Sequence, residues 1–255
     1  MFSIIFGFAI RKSKDKGKKV SELILDLNEI VMNIVNIIMY YAPIGLGCFI
    51  ATLIGSYGSV IAVGFLKTFI VYILVCIFIY VFVYSAYVLL VSGKKGLKAY
   101  WKNIIGPSTT ALATCSSAAT IPINIKYTKE MGVPSDIAET TIPMGTSFHK
   151  DGSVVGSAFK IMFLIYLFGK DIHILTILGV SLLSTLLITA VPIGGGTISE
   201  MFILQILGFP PAALPILSII ATIIDAPATV LNVVGDSCSS LIVARIIEGK
   251  NYLKK

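Results

Sequence analysis

Four polar residues recur at helical spacing within an apolar segment near the C-terminus: Asp225, Thr229, Asn232 and Asp236. Steps of four, three and four residues place them on one face of a helix over three turns. A carboxylate on this face can hold the ammonium group of a ligand. A carboxylate beside a helix break can also join free backbone carbonyls in holding a cation. The alternative is a structural polar face that pairs with Lys150 or Lys160.

A second polar group, His149-Lys150-Asp151-Gly152, lies midway along another apolar segment. Gly152 predicts a local unwinding of the helix that frees backbone carbonyls. Adjacent residues of a helix point about 100° apart, so Lys150 and Asp151 need not pair with each other. Two other interpretations stay open: His149 as a buried histidine bonded to the backbone, and Lys150 with Asp151 as a simple ion pair.

The composition of the chain is that of a membrane protein. Of its 255 residues, 56% are hydrophobic and 13% are charged, and the mean hydropathy is +0.93. Soluble domains are about 45–50% apolar and about 25% charged, so a soluble domain, a disordered chain and a coiled coil are excluded. Ionisable groups at the centre of a bilayer cost about 2.5–3.5 kcal/mol or more each, which marks them as functional by default.

Motifs for enzymes and cofactors are missing from the sequence. It contains no GxSG, HExxH, Walker or GxGxxG motif, and Val233-Val234-Gly235-Asp236 lacks the first glycine of GxGD. The cysteines occur singly and form no CxxC motif, so neither a disulfide framework nor a zinc site is predicted. We expect no enzyme and no cofactor. An intramembrane protease is the one enzyme class that stays open.

Seven apolar blocks follow one another along the chain: Phe2–Ile10, Leu23–Ile54, Val60–Val91, Ile104–Ile125, Ile137–Phe168, Ile172–Leu207 and Ala212–Ile247. The first block is about half the ~20 residues that a transmembrane helix needs. It also precedes a basic run, which is the reverse of the order in a signal peptide. We expect it to be the end of a longer helix.

The basic residues predict the topology of the other blocks. Sixteen of the 20 Lys and Arg residues lie before block two, after block three, after block four or at the C-terminus. The positive-inside rule places these segments, and with them both termini, on the cytoplasmic side. Blocks two, three, five and seven then cross the membrane. Blocks four and six enter and leave on one side, as re-entrant hairpins.

The two hairpins have tips that suit a ligand site. Residues 114–122 offer hydroxyl groups and small side chains, and residues 190–199 contain three glycines. Each hairpin is followed by a crossing helix with a polar break, and the two units have opposite topology. Such a pair of interrupted segments is the best sequence pointer to the central site of a transporter. The alternative is that the glycines and serines are ordinary helix-packing residues.

Five motifs together resemble the dicarboxylate/amino acid:cation symporter family, the bacterial and archaeal relatives of glutamate transporters: MYYAPIGLGCFIA, CSSAATIP, HKDG, VPIGGG and DAPATVLNVVGD. The resemblance implies an all-α membrane fold with two re-entrant hairpins and an inverted repeat. It implies an elevator in which a transport domain, residues 57–255, moves against a trimeric scaffold that includes residues 1–56. Family members begin with further helices, so we expect this chain alone to insert without transporting.

The resemblance also implies two sets of site residues. Ser116 and Ser117 would contact the substrate carboxylate, and Asp225 the substrate amino group. The implied substrate set is Ser116, Ser117, Ser153, Val191, Pro192, Gly194, Gly195, Asp225, Ala228, Thr229 and Asn232. The implied cation set is Gly145, His149, Lys150, Asp151, Asn232 and Asp236, with sodium at Asn232 and Asp236.

Three departures from the family pattern shape the predicted function. Ala228 replaces an arginine that would hold a side-chain carboxylate, Cys115 replaces another arginine, and His149-Lys150 replace asparagine and methionine. We therefore predict a cation-coupled symporter of neutral rather than acidic amino acids, a homotrimer in the cell membrane that binds no nucleic acid. The alternatives are a sodium-independent or proton-coupled carrier, a channel, and a truncated fragment that does not transport.

Overall fold

A computed structural model describes residues 2–41, 44, 47–48, 51, 55, 59–190 and 195–249. The chain divides into two compact units, Met1–Ala62 and Val63–Lys255. The described residues form helices and no strand, which confirms the predicted all-α fold class. The scaffold and transport roles of residues 1–56 and 57–255 stay predictions.

The first unit begins with a pair of helices, α1 (Phe2–Lys12) and α2 (Lys14–Met39), which pack against each other. Lys14 takes a left-handed conformation, with φ of 46°, at the turn between them. A Cβ at Gly17 would lie 1.9 Å from the carbonyl oxygen of Ile10, so glycine permits the close approach of the helices. Most of apolar block two beyond residue 41 lies outside the described residues.

The second unit contains the long apolar helices, the first of which begins in the last residues of the first unit. In chain order the helices are α3 (Ser59–Phe78), α4 (Tyr84–Asn103), α5 (Ile105–Thr114), α6 (Ser117–Glu130), α7 (Ser135–Phe148), α8 (Asp151–Phe168), α9 (Ile174–Ala190), α10 (Gly195–Ile206) and α11 (Leu214–Glu248). A π-helical turn, Ile79–Val83, joins α3 to α4, and a 3₁₀ turn, Pro211–Ala213, precedes α11. Gly93, with φ of 65°, kinks α4.

Three segments of the described residues are long and apolar enough to cross a bilayer: Leu66–Asn103, Ser135–Phe168 and Pro211–Glu248. They overlap the predicted crossing blocks three, five and seven. Block four forms the packed helix pair α5 and α6, and block six forms the packed pair α9 and α10. The first pair is interrupted at residues 115–116, as expected of a hairpin, and residues 191–194, the predicted tip of the second hairpin, lie outside the described residues.

Helix α11 is the centre of the second unit. It packs against α4, α5, α6, α7, α8 and α10, and nearly every side chain from Ala228 to Leu241 is buried. A helix that is surrounded by six others can bring its polar face against residues from distant parts of the sequence. The predicted face of Asp225 to Asp236 therefore lies where a shared site can form.

The sequence predicted a break in the last helix, and this prediction is wrong: α11 is continuous. Pro227 removes the backbone donor that the carbonyl of Ile223 would otherwise accept, and the helix nevertheless continues through this position. The hydroxyl of Tyr72 donates to the carbonyl of Ile224, one residue further on, over 3.4 Å. A neighbouring side chain thus adds a hydrogen bond to the backbone of α11 beside the proline.

Candidate functional site

The break between α7 and α8 falls on His149 and Lys150. Both residues leave the helical conformation, with φ and ψ of −96° and 105° for His149 and of −131° and 53° for Lys150. The expected role of Gly152 needs correction, because Gly152 lies inside the first turn of α8. A Cβ there would lie 2.1 Å from the carbonyl oxygen of Ala228. This glycine therefore permits close packing of α8 on α11 rather than unwinding.

Asn232 of α11 caps the first turn of α8. Its Oδ1 accepts hydrogen bonds from the backbone N–H groups of Gly152, at 2.9 Å, and of Ser153, at 3.3 Å. Its Nδ2 donates to Oγ of Ser153 over 3.1 Å. The first N–H groups of a helix lack partners within the helix, so Asn232 satisfies two of them from another helix. Asn232 and Ser153, both in the predicted substrate set, are thus in contact.

His149 joins two carboxylates of the predicted cation set. Its Nε2 lies 2.9 Å from Oδ1 of Asp151, and its Nδ1 lies 3.2 Å from Oδ1 of Asp236. An ionised carboxylate can accept hydrogen bonds but cannot donate them. The two ring nitrogens of a histidine can both donate only when the ring is positively charged. The arrangement therefore favours a positively charged ring between two negative groups.

The other oxygen of each of these carboxylates also has a donor. The hydroxyl of Tyr84 lies 3.0 Å from Oδ2 of Asp151, and the hydroxyl of Thr146 lies 3.2 Å from Oδ2 of Asp236. Asp236 is 1% exposed. Each oxygen of the two aspartates thus has a protein donor. We name the group of His149, Asp151 and Asp236 the histidine cluster.

Two glycines leave room for the histidine cluster. A Cβ at Gly145 would lie 2.4 Å from Oδ1 of Asp236, and one at Gly235 would lie 2.6 Å from Cε1 of His149. The carbonyl of Gly145, a predicted cation ligand, accepts the backbone N–H of His149 over 2.7 Å. Glycine is therefore required at both positions for close approach of neighbouring groups.

Asp225 has a different environment at the other end of the polar face. It is exposed, and no described residue donates a hydrogen bond to its carboxylate or forms an ion pair with it. Lys160 and Lys150 interact with it electrostatically, and the thiol of Cys115 lies within range of its charge. Ala228 and Thr229, on the following turn, are 7% and 4% exposed. Asp225 is thus the member of the face whose carboxylate is accessible to a ligand.

The two lysines differ in their partners. The ammonium of Lys160 pairs with Glu200 at 3.0 Å. It does not form an ion pair with the polar face of α11, as it would if that face were only a structural partner of the lysines. The ammonium of Lys150 makes no hydrogen bond or ion pair with the described residues, and it interacts electrostatically with Asp236 and Asp225. It forms no ion pair with Asp151, its neighbour in sequence.

The tip of the first hairpin lies near Asp225. Cys115 takes a left-handed conformation, with φ of 48°, between α5 and α6. The hydroxyl of Ser116 accepts the backbone N–H of Ala119 over 3.2 Å and so caps α6, and Ser117 is the first residue of that helix. In the second hairpin, Val191, Pro192 and Gly194 lie outside the described residues, and Gly195 begins α10.

Several polar residues that the structure places against the site or in the interior were not predicted from the sequence. Tyr84 and Thr146 complete the histidine cluster, and Glu200 pairs with Lys160. A lone carboxylate in an apolar hairpin was a signal for Glu200. A buried network also ties α6 to α11: Asn124 donates to the carbonyl of Val233 over 3.0 Å, and Ser237 donates to Asn124 over 2.6 Å.

A cavity of about 270 Å³ lies between α3, α5 and α11. Its walls are mostly apolar and include Ile77, Leu112 and Val230. None of the predicted site residues that the structure describes lines it. The polar site and this apolar cavity are therefore separate features of the unit.

Comparison with known proteins gives one family and several relatives. The Sodium:dicarboxylate symporter family matches residues 1–246. Human excitatory amino acid transporter 2 is 28% identical over 253 residues, which are 95% of this chain and 43% of the relative. Mouse excitatory amino acid transporter 1 is 28% identical over 96% of this chain and 46% of its own length. Human neutral amino acid transporter A is 28% identical over 95% of this chain and 46% of its own length.

The chain spans less than half the length of these curated relatives. The match nevertheless extends over almost the whole chain and includes the helix break, both hairpins and the polar face of α11. The relatives are transporters rather than enzymes. The chain therefore belongs to the sodium:dicarboxylate symporter family of membrane transporters.

Proposed function

We propose that the protein binds and carries a neutral amino-acid-like solute whose ammonium group is held by Asp225. The observation that carries this proposal is the accessible carboxylate of Asp225 on a membrane helix, with no hydrogen bond or ion pair from the described residues. An ionised group within a membrane segment has a functional partner by default. Excitatory and neutral amino acid transporters among the relatives support a substrate of the amino acid class.

The neutral preference rests on Ala228. This residue follows Asp225 by three positions, so it lies close to the same helical face. Ala228 is small and buried, and it offers no group to a side-chain carboxylate. A guanidinium at this position would present paired donors that match a carboxylate. We infer that a second carboxylate on the substrate lacks its partner here.

The coupling proposal rests on the histidine cluster and Lys150. Both cationic side chains belong to the set that the family resemblance assigns to cation coupling. The oxygens of Asp151 and Asp236 already accept hydrogen bonds from His149, Tyr84 and Thr146. We propose that these fixed positive groups take the place of sodium, so that substrate binding does not need that ion.

The assembly and topology follow the same proposal. Residues 57–255 would form the transport domain, and residues 1–56 part of the scaffold of a homotrimer. Both termini would lie on the cytoplasmic side of the cell membrane, because the basic segments follow the positive-inside rule. Both hairpins and the polar face of α11 lie in the second compact unit, which supports their motion as one body.

Ligand chemistry provides the test of the proposed substrate class. The protein is reconstituted in nanodiscs, and binding of labelled L-alanine is measured in competition with L-serine, L-lactate, L-aspartate and L-glutamate. We expect L-serine to compete, L-lactate to fail because it lacks the ammonium group, and the acidic amino acids to compete weakly. Equal competition by L-lactate would refute the role of Asp225. Stronger competition by the acidic amino acids would refute the neutral preference.

A further inference from the structure

A second charged pair is buried beside the proposed ligand site. The ammonium of Lys160 in α8 lies 3.0 Å from Oε1 of Glu200 in α10, and the two side chains are 7% and 3% exposed. The hydroxyl of Ser218 in α11 donates to the other oxygen, Oε2, over 2.7 Å. The pair therefore joins three helices in an apolar environment.

The register of α8 against α11 places Lys160 near Asp225. A Cβ at Gly152 would touch the backbone of Ala228, and one at Gly156 would lie 2.9 Å from Cδ1 of Ile224. Four residues forward on α8 correspond to four residues backward on α11, so the helices are antiparallel. The same register puts Lys160 level with position 220, about 7.5 Å along the axis from Asp225 at 1.5 Å per residue.

The directions of the side chains reduce this separation. Side chains of a helix lean toward the N-terminus of their own helix. Because α8 and α11 are antiparallel, Lys160 and Asp225 lean toward each other. Their charges interact electrostatically, although no hydrogen bond or ion pair joins them. Lys160 thus has two carboxylates within its range and is bound to one of them, that of Glu200.

We propose that Glu200 is a positioning residue that keeps the ammonium of Lys160 away from Asp225 and so leaves Asp225 available to the ligand. This inference rests on the proposed function of Asp225. A buried lysine needs a counter-charge, and without Glu200 the carboxylate of Asp225, with which Lys160 already interacts, is available to supply it. The ammonium of Lys160 would then occupy the position of the ligand's own ammonium group.

The proposal distinguishes the two members of the pair. Glu200→Gln releases Lys160 and creates a competitor for the ligand. Lys160→Met removes the competitor and leaves Asp225 available. A purely structural pair has no such asymmetry, because either single change breaks the same contact. The effect of Glu200→Gln on ligand affinity should therefore depend on the presence of Lys160.

Affinity for L-alanine in nanodiscs is the first test. We expect Glu200→Gln to weaken binding about tenfold, or about 1.4 kcal/mol, and the double variant Lys160→Met/Glu200→Gln to regain most of the affinity. Glu139→Gln is the matched control, since it breaks the exposed Lys129–Glu139 pair and should leave the affinity unchanged. Unchanged affinity in Glu200→Gln, or no recovery in the double variant, would overturn the proposal.

Thermal stability without ligand is the second test, and it does not depend on the proposed substrate. If Lys160 turns to Asp225 when Glu200 is removed, Asp225→Asn should lower the melting temperature far more in the Glu200→Gln background than in the unmodified protein. Additive changes in melting temperature would overturn the shared use of Lys160. If the two substitutions have strongly non-additive effects on the melting temperature but L-alanine does not bind, the contact of Lys160 with Asp225 is supported and only the proposed ligand is rejected.

Discussion

The two carboxylates at the ends of the polar face of α11 have opposite environments. Asp236 is 1% exposed and accepts hydrogen bonds from His149 and Thr146. Asp225, eleven residues earlier on the same helix, is exposed and has no hydrogen bond from the described residues. The same side chain, repeated on one helix, thus serves two purposes that are set by the neighbouring helices.

The helix break explains the difference between the two ends. His149 lies at the break between α7 and α8, where it can reach Asp151 and Asp236 together. Asp225 lies further from the break, beside the tip of the first hairpin, where Lys160 and Lys150 act on it only electrostatically. We therefore assign charge balance within the protein to the first environment and ligand recognition to the second.

Removal of His149 should have the largest effect on the fold. His149→Ala leaves Asp236 buried without its charged partner, and such a loss costs about 3–5 kcal/mol. At about 2–4 °C per kcal/mol, the melting temperature should fall by roughly 6 °C or more. Thermal unfolding in detergent measures this change. His173→Ala, in an exposed loop, is the control, and an equal fall in both variants would contradict the role of the histidine cluster.

Asp225→Asn should produce the opposite pattern, with a large loss of binding and little loss of stability. Charged hydrogen bonds contribute about 1.5–3 kcal/mol each, so affinity for L-alanine should fall about 10- to 100-fold. Asp171→Asn removes a carboxylate from an exposed loop and should bind normally. If Asp225→Asn unfolds the protein as readily as His149→Ala does, the distinction between the two ends of the face is wrong.

Ala228→Arg should shift ligand preference toward aspartate and glutamate by several-fold to tenfold, because a guanidinium pairs with a side-chain carboxylate. Neutral ligands should bind less well, since they leave the new charge unpaired. Competition binding on the variant measures the ranking. Ala226→Arg, on a different side of α11, is the matched control. An unchanged ranking in Ala228→Arg would show that position 228 does not face the substrate side chain.

Lys150→Met should have the smallest effect under ordinary conditions. We expect it to make L-alanine binding depend on sodium, by several-fold, because the ion would supply the charge that the ammonium supplies now. Binding in sodium chloride and in choline chloride at equal ionic strength measures the dependence. Lys170→Met, in the loop that follows α8, serves as the control. Sodium independence of both variants would leave Lys150 without a role in coupling.

Much of this arrangement could be predicted from sequence because it depends on local spacing. The intervals from Asp225 to Asp236 follow the helical period, and the basic segments predicted the two helix pairs of blocks four and six. The break at His149 and Lys150 fell within the polar group that the sequence identified. These features are determined by residues close together in the sequence or by the side of the membrane on which the basic segments lie.

The contacts between distant helices could not be predicted in this way. His149 and Asp236 are 87 residues apart, and their contact depends on Gly145 and Gly235, which permit close packing. The continuity of α11 through Pro227 was also not evident from the sequence pattern. Residue type identified Asp225 and Asp236 as equivalent, and only tertiary packing distinguishes the accessible carboxylate from the buried one.

The sodium dependence of ligand binding tests the central claim most directly. Labelled L-alanine is bound to the unmodified protein in nanodiscs, in sodium chloride and then in choline chloride at the same ionic strength. Because His149 and Lys150 already supply positive charge beside Asp151 and Asp236, we predict dissociation constants that agree within about twofold. A loss of affinity of about tenfold or more without sodium would show that the ion, rather than these side chains, completes the site.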